Sequence, residues 1–374
     1  MMHFLARCAR RLHAEHLLYK MYYSLARGTG YMTGHEVETA LQRLEQLHPD
    51  PNQSALTHNT IDGEPEYDLQ IVVPAYNAGA YIKECMDTLT RQDTIHRLLV
   101  TVVNDGSTDN TGALLSAYEG QQGVEVITQR NLGHAGARNT ALRHIKAQYV
   151  MFVDADDRIP PQAAEVLLDT AYRTGADIVE GNYRQFEGTR ITYTSGHGTW
   201  VGTDYSRLHG LPCGKVYRAR LFAHTAFPPD YWFEDTICPY LIYPQCRRVA
   251  TIPHIVYEYR THSGSISHTS RGRLKTIDAL WVTRRILKDS TLLGIARTPQ
   301  FYDDFLQDIC INASRFIYLK EEVRRDLFAA TCRLTEQEFG GYDTRKARFR
   351  PLERALRQYD YKGYLLYCRC FLGL

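Results

Sequence analysis

LQIVV at 69–73, LLVTVV at 98–103, VEVI at 124–127 and YVMFV at 149–153 are the stretches that decide the fold. Each is a short apolar run rich in β-branched residues, as expected of a buried strand. Helically spaced segments separate them: Ile82, Met86 and Leu89, then Thr111–Tyr118, then Gly136–Ile145, with Pro161–Tyr172 following the last run. Apolar strands alternating with helices describe an α/β domain, a mostly parallel sheet flanked by helices. In such sheets ligands gather at the carboxyl ends of the strands. The polar motifs of this chain stand there, after Val73, Val103 and Val153.

Outward from that block the pattern changes. Residues 1–48 read as helix, with Phe4, Leu5, Cys8, Leu12, Leu17, Leu18, Met21 and Tyr22 apolar, and Val37, Leu41, Leu44 and Leu47 spaced by three and four. His48 to Asp68 is polar, rich in turn formers and without periodicity, the signature of a linker. After Glu180 the alternation fades into mixed structure to about Arg260. Beyond Arg271 the chain reads as helical, with Ile277/Leu280/Trp281, Phe305/Ile309, Phe316/Leu319 and Leu327/Ala330 pairs. The expected division is a helical appendage and linker over 1–67, a catalytic domain over 68–270 and a helical region over 271–374.

Composition excludes several classes. With 374 residues, 44% hydrophobic and 23% charged, the chain is neither disordered nor a disulfide miniprotein. A net charge of +2 gives no polycation for nucleic acid, although the part from Arg271 onward is basic (+7) and the first 270 residues mildly acidic (−5). Nine scattered cysteines without a CxxC pair argue against structural zinc and fit a reducing compartment. No run of 18 apolar residues spans a bilayer, and Arg7, Arg10, Arg11 and Lys20 interrupt the N-terminus, so a cytoplasmic location is expected.

Four motifs carry chemistry. Asp154-Ala-Asp156-Asp157 follows the fourth strand, where three carboxylates within four residues repel unless a cation neutralises them, an arrangement suited to Mg2+ or Mn2+. Asn104-Asp105-Gly-Ser-Thr-Asp109 follows the second; Asp109 reads as a helix cap and Asp105 as an acceptor for a base N–H. Pro74-Ala-Tyr76-Asn77 supplies a rigid turn and an aromatic face for a nucleobase. Arg130 to Asn139 has glycines for close approach and Arg138 near a helix start, where anions are favoured.

The chain resembles the inverting family-2 glycosyltransferases of the GT-A fold, of bacterial polysaccharide type. The motifs are IVVPAYNAGAYIKECMDTLTRQ, VVNDGSTDNT, RNLGHAGARN and YVMFVDADD, followed more loosely by Cys213-Gly-Lys215-Val-Tyr217-Arg218, Trp232-Phe-Glu234-Asp235 and Tyr259-Arg260-Thr-His262-Ser-Gly-Ser265, together about Leu69 to Ser267. The resemblance implies a Rossmann-like half over 68–157 that binds a UDP-sugar and an acceptor side over 158–270. Pro74, Tyr76 and Asp105 would hold uridine, with Asn77 beside them; Asn131 and Arg138 would hold donor sugar or diphosphate. Asp154 would bind ribose or sugar, Asp156 with Asp154 the metal (Mn2+ or Mg2+), and Arg260 and Ser265 would close over the diphosphate. Asp235 would be the catalytic base, with Glu234 the competing carboxylate. Lys215 pairs either with phosphate or with a neighbouring acid. His134 and His262 stand beside these motifs, though a lone histidine is more often a hydrogen-bonding residue than a ligand.

The implied partners are a UDP-sugar donor and a glycan or lipid-linked acceptor. Two rival readings are a sugar nucleotidyltransferase, which should carry a Gly-rich basic loop after the first strand, and a non-catalytic nucleotide-sugar-binding scaffold, which has no use for Glu234-Asp235. Residues 341–374 mix eight Lys/Arg with Tyr and Phe. Either they meet the inner face of a membrane as a peripheral anchor, or their rings pack against the protein or another subunit in a homo-oligomer, protein being the commoner place.

Overall fold

The computed structural model describes residue 10 and residues 14–25, 31–262 and 270–374. Phe4, Leu5, Cys8 and Leu12 of the expected first helix lie outside the described residues, as does Ser265. The chain forms two compact units, Gln53–Ser265 and a second made of Met1–Asn52 with Ile266–Leu374.

The first unit is built on strands β1 (Thr60–Ile61), β2 (Tyr67–Ala75), β3 (Leu98–Asp105), β4 (Val124–Gln129), β5 (His144–Ile145), β6 (Ala147–Phe152), β7 (Ile178–Glu187), β8 (Arg190–Thr194), β9 (Trp200–Gly202), β10 (Lys215–Arg218) and β11 (Val249–Arg260). Nine of them make one sheet in the order β4-β3-β2-β6-β10-β7-β11-β9, with β8 on β7. The four runs read from sequence are its parallel half, β4-β3-β2-β6. β10 is antiparallel to both its neighbours, so the sheet is mixed beyond β6.

β2 shows why the run is apolar throughout. Leu69, Ile71 and Val73 face one layer, where they meet Ile82, Met86 and Leu89 of the helix Ile82–Thr90 and Leu167 and Leu168 of the helix Ala163–Thr174. Val72 and Gln70 face the other side. Gln70 is buried, but its amide donates to Thr101 Oγ1 (3.1 Å) and the Ala141 carbonyl (3.3 Å) and accepts from the Lys146 N–H (3.0 Å), so no polar atom is stranded. Pro74 sits beyond the last β6 pairing at Val72, where its missing N–H breaks no ladder.

Two local readings differ from the structure. The expected helix over Gly136–Ile145 runs instead over Gly133–Leu142, and His144–Ile145 pairs with Thr60–Ile61. The stretch read as a linker therefore contributes a strand, one too short to leave a periodic signal.

The second unit joins both ends of the chain. The helix Gly34–Leu47 starts on a capping box between Thr33 and Glu36 and is held by Arg43 to Asp326 (Nε–Oδ2 2.9 Å) and by Glu36 to Arg325 (2.8 Å). Trp281 is fully buried and donates its indole N–H to the His48 carbonyl (2.9 Å). The aromatic tail packs within this unit: Phe349, Tyr361 and Tyr367 are buried, and the Tyr364 ring lies 4.8 Å from that of Phe328. Among the described residues no helix is long and apolar enough to cross a membrane.

Met151 on β6 is fully buried in the layer beneath the helices. Met151→Ala is expected to cost about 2–5 kcal/mol, read as a lower denaturation midpoint at unchanged slope.

Candidate active site

The strand ends bring the motifs to one edge of the sheet. Asp105 closes β3, and its Oδ1 accepts from Gln129 Nε2 (2.7 Å) and the Leu132 N–H (2.8 Å). Its Oδ2 has no hydrogen-bond partner among the described residues. Gly106 follows with φ +69°, and a Cβ there would lie 2.7 Å from the Asn131 nitrogen, so glycine is what lets the loops after β3 and β4 touch. Tyr76, just past β2, is 52% exposed, and its ring meets no other among the described residues.

Asn77 does a different job. Its Oδ1 accepts from the Thr108 (2.8 Å) and Asp109 (3.4 Å) N–H groups, and its own N–H donates to Ser107 Oγ (3.0 Å). It ties two loops together in a left-handed conformation, φ 48°. Asn131, exposed, accepts from the Gly133 N–H (3.1 Å).

Arg138 is the centre of the site. It is 2% exposed, lies over the Phe227 ring at 4.9 Å, and donates to Asp154 Oδ1 (2.9 Å) and Glu234 Oε1 (3.1 Å). His134, one helical turn earlier, bridges the same two carboxylates, at 3.0 Å from Glu234 and 3.3 Å from Asp154. Burial disfavours every charge here, yet the pairing outweighs it. Arg138 and His134 hold the Asp154 carboxyl well below the usual range, and His134 and Arg138 lower that of Glu234. Burial and Arg138 oppose protonation of His134, but Asp154 and Glu234 raise it to about 9. The guanidinium expected to meet donor or diphosphate thus donates through Nη1 and Nη2 to two acids, and its buried Nε has no acceptor among the described residues.

The acidic triplet is likewise divided. Asp157 is buried; its Oδ2 accepts from the Tyr257 hydroxyl (2.6 Å) and its Oδ1 from the Arg260 N–H (2.7 Å). Burial, then Asp156 and Asp154, push its pKa well up. Asp156 Oδ2 lies 2.8 Å from His262 Nε2, and one third of its side chain is exposed. Arg138 and His134 therefore pair with Asp154, while Asp154 and Asp156 still act on Asp157 as like charges. Among the described residues the three carboxylates do not converge as a three-ligand metal site.

For Lys215 the structure shows the acid of the two expected partners. It is fully buried and paired with Glu180, which also receives His197 (3.1 Å) and His209 (3.3 Å), so it faces an acid and not a phosphate. Arg260 Nε donates to the Asp156 carbonyl (2.7 Å) and Nη2 to Glu84 (2.6 Å), with Phe186 and Tyr81 beneath its guanidinium. Glu84 and Tyr257 were missed in the sequence; Glu84 lies within the first motif but on the apolar-periodic helix that follows its turn, and Tyr257 on a regular strand, where nothing local marks a partner for Arg260 or Asp157. Glu234 and Asp235 open a short 3-10 turn behind Phe233, whose φ of 65° is rare for a bulky side chain. Glu234 is buried and Asp235 half-buried.

Residues 70–226 match the model of Glycosyl transferase family 2. The glycosyltransferase GlyG of Streptococcus pneumoniae serotype 4 is 27% identical over 69% of this chain and 88% of its own length. EpsJ of Bacillus subtilis, an uncharacterized glycosyltransferase, is 34% identical over 53% of this chain and 62% of its own. The structure of S. aureus TarS 1–349 in complex with UDP-GlcNAc superposes with a TM-score of 0.64 at 22% identity, covering 82% of this chain and 92% of TarS 1–349. The fold is of the GT-A type. Residues 70–226 form a family-2 glycosyltransferase domain, and the protein is a glycosyltransferase.

His134 supplies a titration test. Its pKa is raised from 6.5 to about 9 in the folded state, so its stabilisation is complete below pH 6.5 and lost as pH rises through about 9. His134→Gln is expected to flatten stability against pH in that window. An NMR titration placing His134 near 6.5 contradicts this.

Proposed function

We propose that the protein is an inverting glycosyltransferase that moves a sugar from a UDP-sugar to a hydroxyl of a glycan or lipid-linked acceptor in cell-surface polysaccharide synthesis, with Asp235 as general base. The observation that carries this reading is the division of labour at 234–235. Glu234 accepts from both His134 and Arg138, which makes it a weak proton acceptor, while the adjacent half-buried Asp235 follows it on the same turn. The donor class is supported by the Asp105 Oδ2, which has no hydrogen-bond partner among the described residues and suits a uracil N–H, by the exposed Tyr76 ring for stacking, and by the UDP-GlcNAc held in TarS.

In this mechanism Asp235 takes the proton of the acceptor hydroxyl as its oxygen bonds to the anomeric carbon. The bond from that carbon to the diphosphate breaks, its electron pair leaves on the β-phosphate oxygen, and a single displacement inverts the centre. Arg138 and His134 keep Asp154 and Glu234 ionised and in place. Asp156 offers a hard, partly exposed oxygen, and with Asp154 it would hold Mg2+ or Mn2+. The donor set fits an ion that takes one or two carboxylates plus phosphate oxygens. Bound there, the ion supplies neutralisation of the charge developing on the diphosphate.

Asp235→Asn is expected to lower UDP release about 10²–10⁴-fold while calorimetry shows unchanged UDP affinity, since a base acts in the transition state. Lost UDP affinity makes Asp235 a binding residue, and an unchanged rate removes it from catalysis. A chelator and Asp156→Asn should each abolish turnover. Full activity in chelator ends the metal assignment and leaves the Asp235 test standing.

A further inference from the structure

The helical unit contains a cavity of about 440 Å³ formed entirely by residues of its C-terminal part. Its walls include Leu280, Phe305, Ile309, Phe316, Leu327 and Phe328. Protein interiors pack to crystal density and leave few voids larger than a water molecule, whereas this volume lies in the range of small-molecule sites. It is an apolar chamber with a small number of polar groups, the make-up of a ligand pocket and not of a packing defect.

Those polar groups indicate what enters. Arg369 lines the cavity and is exposed, and its guanidinium makes no hydrogen bond or ion pair among the described residues. Arg324 donates through one nitrogen to Glu321, but its Nε is buried with no acceptor. A buried guanidinium nitrogen without an acceptor and an exposed guanidinium without a protein partner, beside an apolar chamber, suit an anion attached to hydrocarbon. Two carboxylates stand in the wall: Asp308 accepts from Thr283 Oγ1 (2.8 Å) and Asn312 Nδ2 (3.2 Å), with burial raising its pKa, and Glu321 is paired with Arg324.

We propose that this cavity binds the apolar chain of an anionic amphiphile, its headgroup held by Arg324 and Arg369. The shared chemistry is one hydrocarbon chain ending in a carboxylate or a phosphate. Its occupancy needs no turnover to detect.

The test is titration of the full chain with 11-(dansylamino)undecanoate, whose fluorescence rises in an apolar pocket, followed by displacement. Dodecanoate and farnesyl phosphate are expected to displace the probe, and the better of the two identifies the headgroup. Dodecyltrimethylammonium, of the same chain length, should displace it far less well. Ala313→Phe, which fills the cavity, should abolish probe binding, and the exposed Arg369→Glu should weaken it several-fold with unchanged circular dichroism and thermal unfolding. Should Ala313→Phe not fold, Arg369→Glu and the cationic competitor still decide. Absence of saturable binding, equal displacement by the cation, or an Arg369→Glu protein that binds as the parent does overturns the proposal.

Discussion

The Arg138 guanidinium, fully enclosed and shared between Asp154 and Glu234, is the contact on which the rest of the site depends. It reaches from a helix of the parallel half to a strand end and to the turn that carries Asp235, three segments with no backbone pairing between them. A buried cation is tolerated only where carboxylates and hydrogen bonds surround it, and a buried carboxylate only where a cation does. Each of the three thus requires the others, and His134 completes the set. This closed group places the turn at 234–235 against the strand ends.

The same reasoning separates Asp154, Asp156 and Asp157, which the sequence presents as one cluster. On leaving the sheet the chain sends Asp154 to Arg138, Asp157 inward to Tyr257, and Asp156 outward to His262. Three carboxylates in sequence become one ionised anchor, one buried hydrogen-bond acceptor and one partly exposed oxygen for a ligand.

The helical unit follows a simpler constraint. Short amphipathic helices gain little from propensity and stand only when their apolar face is covered. The helix Gly34–Leu47 finds that cover on helices more than two hundred residues later, through Arg43–Asp326, Glu36–Arg325 and the Trp281–His48 hydrogen bond. The rings of the basic C-terminal stretch are absorbed into the same packing, which is where the arginine-rimmed cavity arises.

The sequence by itself determined the parallel half of the sheet, because four apolar runs with turn residues at their ends leave few alternatives, and it placed Asp105, Tyr76, Asp156 and Asp235 at the chemical edge through their motifs. Helix periodicity was equally legible beyond Arg271. Only the tertiary structure decided that Arg138 and Lys215 face acids, that Glu234 pairs with both Arg138 and His134, that β10 enters antiparallel, and that both chain ends share one unit. The physical reason is common to all of these. A motif records which side chain stands where along the chain, but the partner of a buried charge comes from another segment and is chosen by burial, which no local pattern of residues encodes.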